Sequence, residues 1–150
     1  MSIAIDRLTA SDLTLMEGVL DVFADAFEDD EAYRRARPGR AYMTSLLADP
    51  GFIALATRKD GAVVGALAAY VLRKFERERS EVYIYDLAVA ASHRRQGIAT
   101  ALIEALKPIA RKAGASVIFV QADPGDDPAI ALYTGLGVRE DVHHFDIPVD

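Results

Sequence analysis

Apolar and polar residues follow two periods along this chain, and the two periods predict different elements. Apolar residues three and four positions apart indicate helices, whereas alternating positions or short apolar runs indicate strands. Asp60-Gly61 separates two such runs and is a strong hairpin signal. The pattern predicts these elements in chain order: strand Ile3 to Leu8, helix Leu13 to Phe27, helix Tyr42 to Leu47, strands Phe52 to Arg58, Val63 to Leu72 and Glu81 to Val89, a helix from Gly97 that ends by Gly114, strand Ser116 to Ala122, a helix from Asp127, and strand Val142 to Ile147.

Local features refine these elements. Ser11 is placed to cap the first helix, and Asp127 the last, with Pro128 at that helix's first position. The apolar run Ser116 to Ala122 predicts a strand buried on both faces. A strand, helix and strand from Glu81 to Ala122 predict parallel pairing. The expected fold class is α/β, with a mixed, mostly antiparallel sheet flanked by helices.

Composition and charge narrow the function. The chain has 150 residues, which fits one domain over 1–150, and its 23 acidic and 17 basic side chains give a net charge of −6. This net negative charge disfavours nucleic acid as a partner and favours a cationic small molecule. The alternative is that the acidic residues serve only solubility. The sequence has no cysteine, no signal-peptide pattern and no apolar run near the ~20 residues of a membrane span. We expect a soluble, cytoplasmic protein with no membrane partner.

The most informative stretch is Glu81 to Thr100, in which a predicted strand leads through the turn Arg94 to Ala99 into a predicted helix. The first N–H groups of a helix have no intrahelical partners, and the helix dipole adds positive charge there. Such a turn is suited to a phosphate. The chain lacks GxGxxG and GxxxxGK[ST], so the motifs support neither a dinucleotide-binding nor an NTPase function.

Arg94-x-x-Gly97-x-Ala99 resembles the acetyl-CoA signature [Q/R]xxGx[G/A] of the GNAT N-acetyltransferases. Leu132-Tyr133-x-x-x-Gly137-Val138 resembles the second signature of that superfamily, LYxxxGF, with valine in place of the aromatic residue. The longer runs YIYDLAV, HRRQGIATALI and QADxGDDPA are similar to the aminoglycoside 3-N-acetyltransferases, a resemblance that covers about Phe52 to Ile147.

The resemblance implies a GNAT fold, in which two neighbouring strands splay apart, and acetyl-CoA as cofactor. It implies acetylation of the 3-amino group of the 2-deoxystreptamine ring in gentamicin-like aminoglycosides, and hence antibiotic resistance. A homodimer is an expectation from the superfamily. The implied cofactor-binding residues are Leu87, Ala88, Val89, Arg94, Arg95, Gln96, Gly97, Ile98, Ala99, Thr100 and Ala129, of which Leu87 to Val89 pair through their backbone with the amide-bearing arm of the cofactor.

Two residues are candidates for catalysis. By alternation Asp86 shares a strand face with Val82, Ile84 and Ala88, where a carboxylate carries a desolvation penalty. It is the candidate base that takes the proton of the acceptor amine, unless a bulge turns it to solvent or it binds backbone N–H groups. Tyr133 is the candidate acid for the departing thiolate, and the resemblance places it beside the sulfur; a core tyrosine is the alternative.

Acidic residues are candidates for binding a polycationic substrate. Asp123, Asp126 and Asp127 follow a predicted strand, with Asp126 where the family usually has asparagine, although Asp127 also fits a helix cap. Glu28 and Glu31 belong to a second acidic run, for which a solvated turn is the alternative. Tyr85 is a further candidate for substrate binding. His143 and His144 lack clustered ligands, so no metal site is predicted.

Three functions of different kinds stay open on the sequence. The first is the aminoglycoside acetyltransferase. The second is a GNAT enzyme that acetylates another polyamine or a protein amine. The third is a non-catalytic module that binds acyl-CoA, against which the presence of both Asp86 and Tyr133 argues.

Overall fold

A computed structural model describes residues 3–150 and contains five strands and four α-helices in this part of the chain. A five-residue π-helix, Glu31–Arg35, and a short 3-10 helix, Ala91–His93, supplement them. The elements in chain order are β1 Ala4–Arg7, α1 Leu13–Phe27, α2 Arg40–Ala48, β2 Phe52–Lys59, β3 Ala62–Arg73, β4 Ser80–Val89, α3 Ile98–Lys112, β5 Ala115–Val120 and α4 Asp127–Leu136.

The strands form one mixed sheet in the order β1-β2-β3-β4-β5. The first four pair antiparallel, and β4 pairs parallel with β5 after the crossover through α3. The hairpin between β2 and β3 turns at Asp60 and Gly61, whose φ angles of 52° and 82° are those that an Asp-Gly turn of type I′ requires. The predicted antiparallel meander and parallel crossover are confirmed.

The sheet separates two layers of core. Helices α1 and α2 cover one face, where small side chains of the central strands let the helices approach closely, among them Ala54, Ala56 and Ala66. Helix α3 covers the other face, where Leu102 and Leu106 are fully buried. This arrangement leaves the carboxyl ends of β4 and β5 between the two layers.

Two predicted helix caps are wrong by one residue. Helix α1 has Asp12 rather than Ser11 at its N-cap position, and the Asp12 carboxylate accepts the backbone N–H of Thr9 at 2.7 Å. Helix α4 has Asp126 rather than Asp127 at its N-cap, where the side chain accepts the N–H of Ala129 at 3.4 Å. In both places consecutive polar residues compete for the cap, and composition alone does not choose between them.

The predicted last strand, Val142 to Ile147, is absent from the structure. No backbone hydrogen bond joins residues 138–150 to residues 3–137, and these terminal residues are exposed. The prediction that the strand Ser116 to Ala122 is buried on both faces is also wrong, because Ser116 and Val117 are exposed. β5 is therefore the last strand of the sheet, and no described strand covers its outer edge.

Candidate active site

Strand β4 contains a bulge at Tyr85 that decides where the neighbouring Asp86 points. Ala69 of β3 pairs with Ile84 and Ala68 pairs with Asp86, so Tyr85 has no partner on that side. An extra residue in one strand reverses the faces of the residues after it. Ile84 accordingly packs in the core beneath α3, whereas Ala88 packs in the core beneath α1.

Asp86 therefore lies on the α1 side of the sheet, opposite Val82 and Ile84 and not beside them. The prediction that Asp86 shares a face with Val82 and Ile84 is therefore wrong, because alternation assumes a strand without a bulge. The prediction that it shares a face with Ala88 is right, since both residues follow the bulge. The bulge does not turn Asp86 out to solvent, since the residue is half-buried.

The carboxylate of Asp86 is held by a residue far away in the sequence. The Tyr33 hydroxyl donates to Asp86 Oδ2 at 2.8 Å. Burial raises the pKa of Asp86 above its usual value, and the hydrogen bond from Tyr33 opposes part of that rise. Burial, followed by the hydrogen bond to Asp86, raises the pKa of Tyr33, so the phenol keeps its proton. The pKa of the Asp86 carboxyl is thus moved toward neutrality.

Tyr33 is fixed by its ring and by its backbone. The ring lies between Phe23 and Phe27, with centroids 5.8 and 5.6 Å away. Arg37 donates from Nε to the carbonyl of Tyr33 at 2.8 Å, and its other nitrogens contact Glu17 and Asp21 of α1 at 2.6 Å each. The guanidinium thus ties the π-helix to α1.

Tyr33 is absent from the predicted site. Its segment has no clear period, and the only signal in the sequence is one aromatic residue within the charged run EDDEAYRRAR. The contact joins residues 53 positions apart, so no short motif reveals it.

Three further tyrosines surround the carboxylate. Tyr85 is 60% exposed, and its ring meets that of Tyr70 edge-on with centroids 5.9 Å apart. Burial, then the neighbouring Tyr85, Tyr42 and Asp86, raise the pKa of Tyr70. Exposed aromatic faces with hydroxyl groups can stack on apolar ring faces and hydrogen-bond at their edges.

Strands β4 and β5 separate next to Asp86. Their parallel pairing ends where Ile84 meets Val120, although β4 continues to Val89. The backbone of Tyr85 to Val89 consequently has a free side facing away from β3. The expected splayed strand pair is present, and it leaves the backbone of Leu87, Ala88 and Val89 without a strand partner on the β5 side. These are the three residues predicted to pair with an amide-bearing ligand.

The N-terminus of α3 lies beyond this free edge. Gly97 is its N-cap with φ of 78°, and no side chain caps the helix. A Cβ added at Gly97 would meet no described atom within 4 Å. Of the other residues predicted here, Arg94, Arg95 and Gln96 are exposed, and Ile98 is buried while Ala99 and Thr100 are half-buried. The helix terminus is thus open toward solvent, as a phosphate site requires.

Close packing sets the position of α3. Gly65 of β3 faces Ile98, and a Cβ at Gly65 would come within 2.7 Å of Ile98 Cγ2. Only glycine leaves room for the first turn of the helix at this distance. The absence of a side chain at Gly65 therefore brings the open terminus close to the sheet.

Tyr133 lies on α4 and packs against the core beneath α3, so it reaches the splayed strands from the side opposite Asp86. No described residue hydrogen-bonds to its hydroxyl. Burial first, and the charge of Asp126 second, raise the pKa of Tyr133, which keeps the phenol protonated at neutral pH. The structure gives no direct contact between Tyr133 and Asp86.

The predicted acidic residues occupy exposed positions. Asp123, Asp126 and Asp127 lie in the loop between β5 and α4 and at the start of α4, and Ala129 is half-buried on the first turn. Glu28 ends α1 in the left-handed region, with φ of 51°. Glu31 forms an ion pair with Arg35 at 2.7 Å. A helix cap and an ion pair thus account for some residues of each of the two acidic runs. A role of these acidic residues in substrate binding stays a prediction.

Within residues 3–150, no three metal-binding side chains come together. No helix of this range combines the length and apolar character needed to cross a bilayer.

Comparison with known proteins decides the family. Residues 16–138 match the model of the acetyltransferase (GNAT) family. The chain belongs to this family. GNAT enzymes use acetyl-CoA as acetyl donor, which agrees with the open helix terminus and the free strand edge.

Solved GNAT structures resemble the chain over its whole length. The chain is 57% identical to the aminoglycoside acetyltransferase HMB0005 from an uncultured soil metagenomic sample, with a TM-score of 0.97 over 100% of both chains. It is 31% identical to the aminoglycoside acetyltransferase meta-AAC0020 from an uncultured soil metagenomic sample, crystallised with sisomicin, with a TM-score of 0.90 over 99% of this chain and 97% of that one.

Among curated proteins, N-acetyltransferase family 8 member 2 of Rattus norvegicus is 33% identical over 85 residues. The match covers 57% of this chain and 38% of that protein. The chain thus spans less than half the length of this curated relative.

Proposed function

We propose that the protein is an aminoglycoside N-acetyltransferase that acetylates the 3-amino group of the 2-deoxystreptamine ring, and that it confers resistance to gentamicin-like antibiotics. The observation that carries the proposal is the half-buried Asp86 carboxylate, held by Tyr33 beside the splayed strands and surrounded by tyrosine rings. The 57% identity to an aminoglycoside acetyltransferase supports the substrate class.

The residues present fit acetyl-CoA. The N–H groups at the start of α3, above Gly97, suit a diphosphate because no side chain caps them. The free backbone of Leu87 to Val89 suits the amide bonds of the pantetheine arm, which then runs along β4 as an added strand does. Arg94, whose Nε donates to the carbonyl of Val89 at 3.3 Å, lies between these two places.

The bound cofactor supplies an acetyl thioester whose carbonyl carbon accepts a nitrogen nucleophile. Asp86 would take one proton from the acceptor ammonium group, directly or through a water molecule, and so free the lone pair of the nitrogen. As the new C–N bond forms and the C–S bond breaks, Tyr133 would donate its phenolic proton to the departing sulfur. The nitrogen would lose its second proton to solvent, and solvent would return a proton to the phenolate. Because the two residues approach the splay from opposite sides, each faces a different end of the reacting group.

The acceptor side of the site suits a polycation. Aminoglycosides carry several ammonium groups, and a net charge of −6 favours their approach. Asp123, Asp126 and Asp127 are exposed near the end of β5 and provide carboxylates for these groups. Tyr85 and Tyr70 provide ring faces on which a sugar ring can pack.

An acetylation assay tests the proposal. The protein is incubated with acetyl-CoA and, in separate reactions, with gentamicin, kanamycin, spermidine or a peptide, and free thiol is followed. We expect thiol release with gentamicin, and NMR of the product should show the acetyl group on the 3-amino nitrogen. Acetylation at another nitrogen would refute the position, and release with spermidine or the peptide alone would refute the substrate class.

The Tyr133→Phe variant, with Tyr83→Phe as control, tests the assigned acid. We expect Tyr133→Phe to lower kcat by about 10²-fold, the lower range for loss of a general acid. Tyr83 is half-buried, as Tyr133 is, but its hydroxyl donates to Gln121 and lies outside the proposed proton path, so its variant should keep kcat within about twofold of the wild type. An unchanged kcat in Tyr133→Phe would remove the acid role.

A further inference from the structure

The backbone carbonyl of Tyr33 lacks the donor that its own helix would normally provide. In a π-helix a carbonyl accepts the N–H group five residues later, which for Tyr33 is residue 38. Residue 38 is proline and has no N–H group. The Nε of Arg37 donates to this carbonyl instead, at 2.8 Å. A side chain thus replaces a missing backbone donor at the residue whose hydroxyl holds Asp86.

The same guanidinium holds the π-helix on α1. Its Nη1 donates to Glu17 and its Nη2 to Asp21, at 2.6 Å each. The Arg37 side chain is only 21% exposed, so these ion pairs are screened less than those of a fully exposed arginine. Because the guanidinium is planar, its three bonds together fix the backbone of Tyr33 relative to α1.

Few other contacts hold the π-helix in place. Of its five residues only Tyr33 is half-buried, and the other four are exposed. The ring of Tyr33 packs beside Phe23 and Phe27, but ring contacts allow small shifts that a hydrogen bond does not. A hydrogen bond weakens steeply as its distance and angle depart from the preferred values. A small movement of the π-helix would therefore cost the bond from Tyr33 to Asp86.

The Asp86 carboxylate depends on that bond more than most carboxylates would. The titratable groups near it and near its partner are four tyrosines and one acid, and none of them is a cation: Tyr33 and Asp29 after α1, Tyr70 on β3, and Tyr83 and Tyr85 on β4. Burial raises the pKa of Asp86, and among these groups only Tyr33 lowers it.

We propose that Arg37 is a positioning residue, which keeps the Tyr33 hydroxyl on the Asp86 carboxylate. Its own bonds go to the carbonyl of Tyr33 and to α1, so it acts on Asp86 through another residue. A hydrogen bond to the charged form of an acid favours that form. Arg37 therefore helps Asp86 to stay ionised and ready to accept a proton. The consequence for catalysis rests on the proposed function, whereas the effect on Asp86 does not.

NMR titration of the free protein tests the effect without substrate. The protein is labelled with ¹³C-aspartate, and the carboxyl signal of Asp86 is the one that the Asp86→Asn variant lacks. Arg37→Gln should raise the pKa of Asp86 by most of the rise that Tyr33→Phe gives. Arg35→Gln is the matched control, because Arg35 belongs to the same helix but pairs with Glu31 inside it. That variant should leave the pKa of Asp86 unchanged.

A double variant separates positioning from a direct effect of charge. Loss of a nearby positive charge can by itself raise the pKa of an acid. This direct effect persists when Tyr33 is already phenylalanine, whereas a positioning effect disappears because no hydroxyl is left to position. We expect Tyr33→Phe/Arg37→Gln to show the same pKa of Asp86 as Tyr33→Phe alone. Additive rises would overturn the proposal.

Removal of the two carboxylates on α1 gives a test of opposite sign. Glu17→Gln/Asp21→Asn releases the guanidinium from α1 and removes two negative charges, at positions where both side chains are more than half exposed. Loss of negative charge alone would lower the pKa of Asp86, whereas release of the π-helix should raise it. Arg34, the other cation beside Asp21, keeps its shorter ion pairs. We expect a rise, and a fall or no change would contradict the positioning role.

Activity gives a separate readout. In the acetylation assay the acidic limb of the kcat/KM profile should move to higher pH in Arg37→Gln and stay in place in Arg35→Gln. A raised pKa of Asp86 with an unmoved limb would refute Asp86 as the base and leave the positioning role intact. A wild-type pKa in folded Arg37→Gln would overturn the positioning role whatever the substrate is. If circular dichroism shows that Arg37→Gln does not fold, Glu17→Gln/Asp21→Asn decides.

Discussion

Replacement of Gly97 by alanine tests the cofactor site most directly. Gly97 has φ of 78°, and a Cβ there meets no described atom within 4 Å. The added methyl group therefore clashes with nothing in the protein itself. It occupies the space in front of the α3 terminus, where a diphosphate must approach the backbone closely.

Gly61 provides a matched control. It has φ of 82° in the hairpin between β2 and β3, and a Cβ there also meets nothing within 4 Å. Alanine in the left-handed region costs about 1–2 kcal/mol at either position. Each variant should thus lose roughly 2–8 °C in Tm, since 1 kcal/mol corresponds to ~2–4 °C in a domain of this size.

The two variants should differ only in cofactor binding. Hydrogen bonds to a charged group contribute about 1.5–3 kcal/mol each, so loss of one such bond at Gly97 weakens binding about 10- to 100-fold. Isothermal titration calorimetry with coenzyme A measures the affinity, and differential scanning fluorimetry measures Tm. Gly61→Ala should bind as the wild type does. Equal affinity in Gly97→Ala and Gly61→Ala would refute the placement of the diphosphate at the α3 terminus.

Three further variants test the neighbouring chemistry and the core. Asp86→Asn should lower kcat by about 10²–10⁴-fold in the acetylation assay. Because burial raises the pKa of this carboxyl, its charged form destabilises the folded protein at any pH above the pKa of the unfolded state. Thermal melts should therefore show a higher Tm for the variant than for the wild type at pH 7, and no difference of this kind below about pH 4. Tyr33→Phe removes the hydrogen bond that lowers the pKa of Asp86, so the acidic limb of the kcat/KM profile against pH should move to higher pH. An acidic limb at the wild-type position would contradict the assignment of Asp86 as the base. Thr57→Val should raise the free energy of unfolding in urea by about 1 kcal/mol, because the buried Thr57 hydroxyl has no hydrogen-bond partner among the described residues. A lower free energy of unfolding would show that the hydroxyl does have a partner.

The order of the sheet and the helix after β4 follow from local signals in the sequence. Asp60-Gly61 specifies the hairpin because few residues adopt its turn angles, and the apolar spacing of α3 marks which face is buried. The turn at Gly97 is readable for the same reason. The suitability of that turn for a phosphate follows from its place at a helix N-terminus, whereas its assignment to acetyl-CoA rests on resemblance to a family.

The orientation of Asp86 and the contact from Tyr33 are not local properties. The bulge at Tyr85 depends on how β3 and β4 pair, and β3 shows no matching break in its apolar run. Tyr33 reaches the carboxylate through folding of α1 and the π-helix against the sheet. The prediction of a final strand over Val142 to Ile147 is wrong for a related reason. Alternation of apolar and polar residues makes a strand possible, but the segment forms one only if it pairs with the edge of another strand.

Because Tyr85 is the extra residue of the bulge, the direction of the Asp86 carboxyl depends on the number of residues in β4 and not on which side chain stands at position 85. Any amino acid at position 85 preserves the number of residues in β4, and so leaves the Asp86 carboxyl directed at Tyr33. Removing the position altogether would rotate that carboxyl by half a turn, toward Leu102 and its apolar neighbours. An insertion or deletion in β4 therefore disturbs this site more than a substitution at position 85 does.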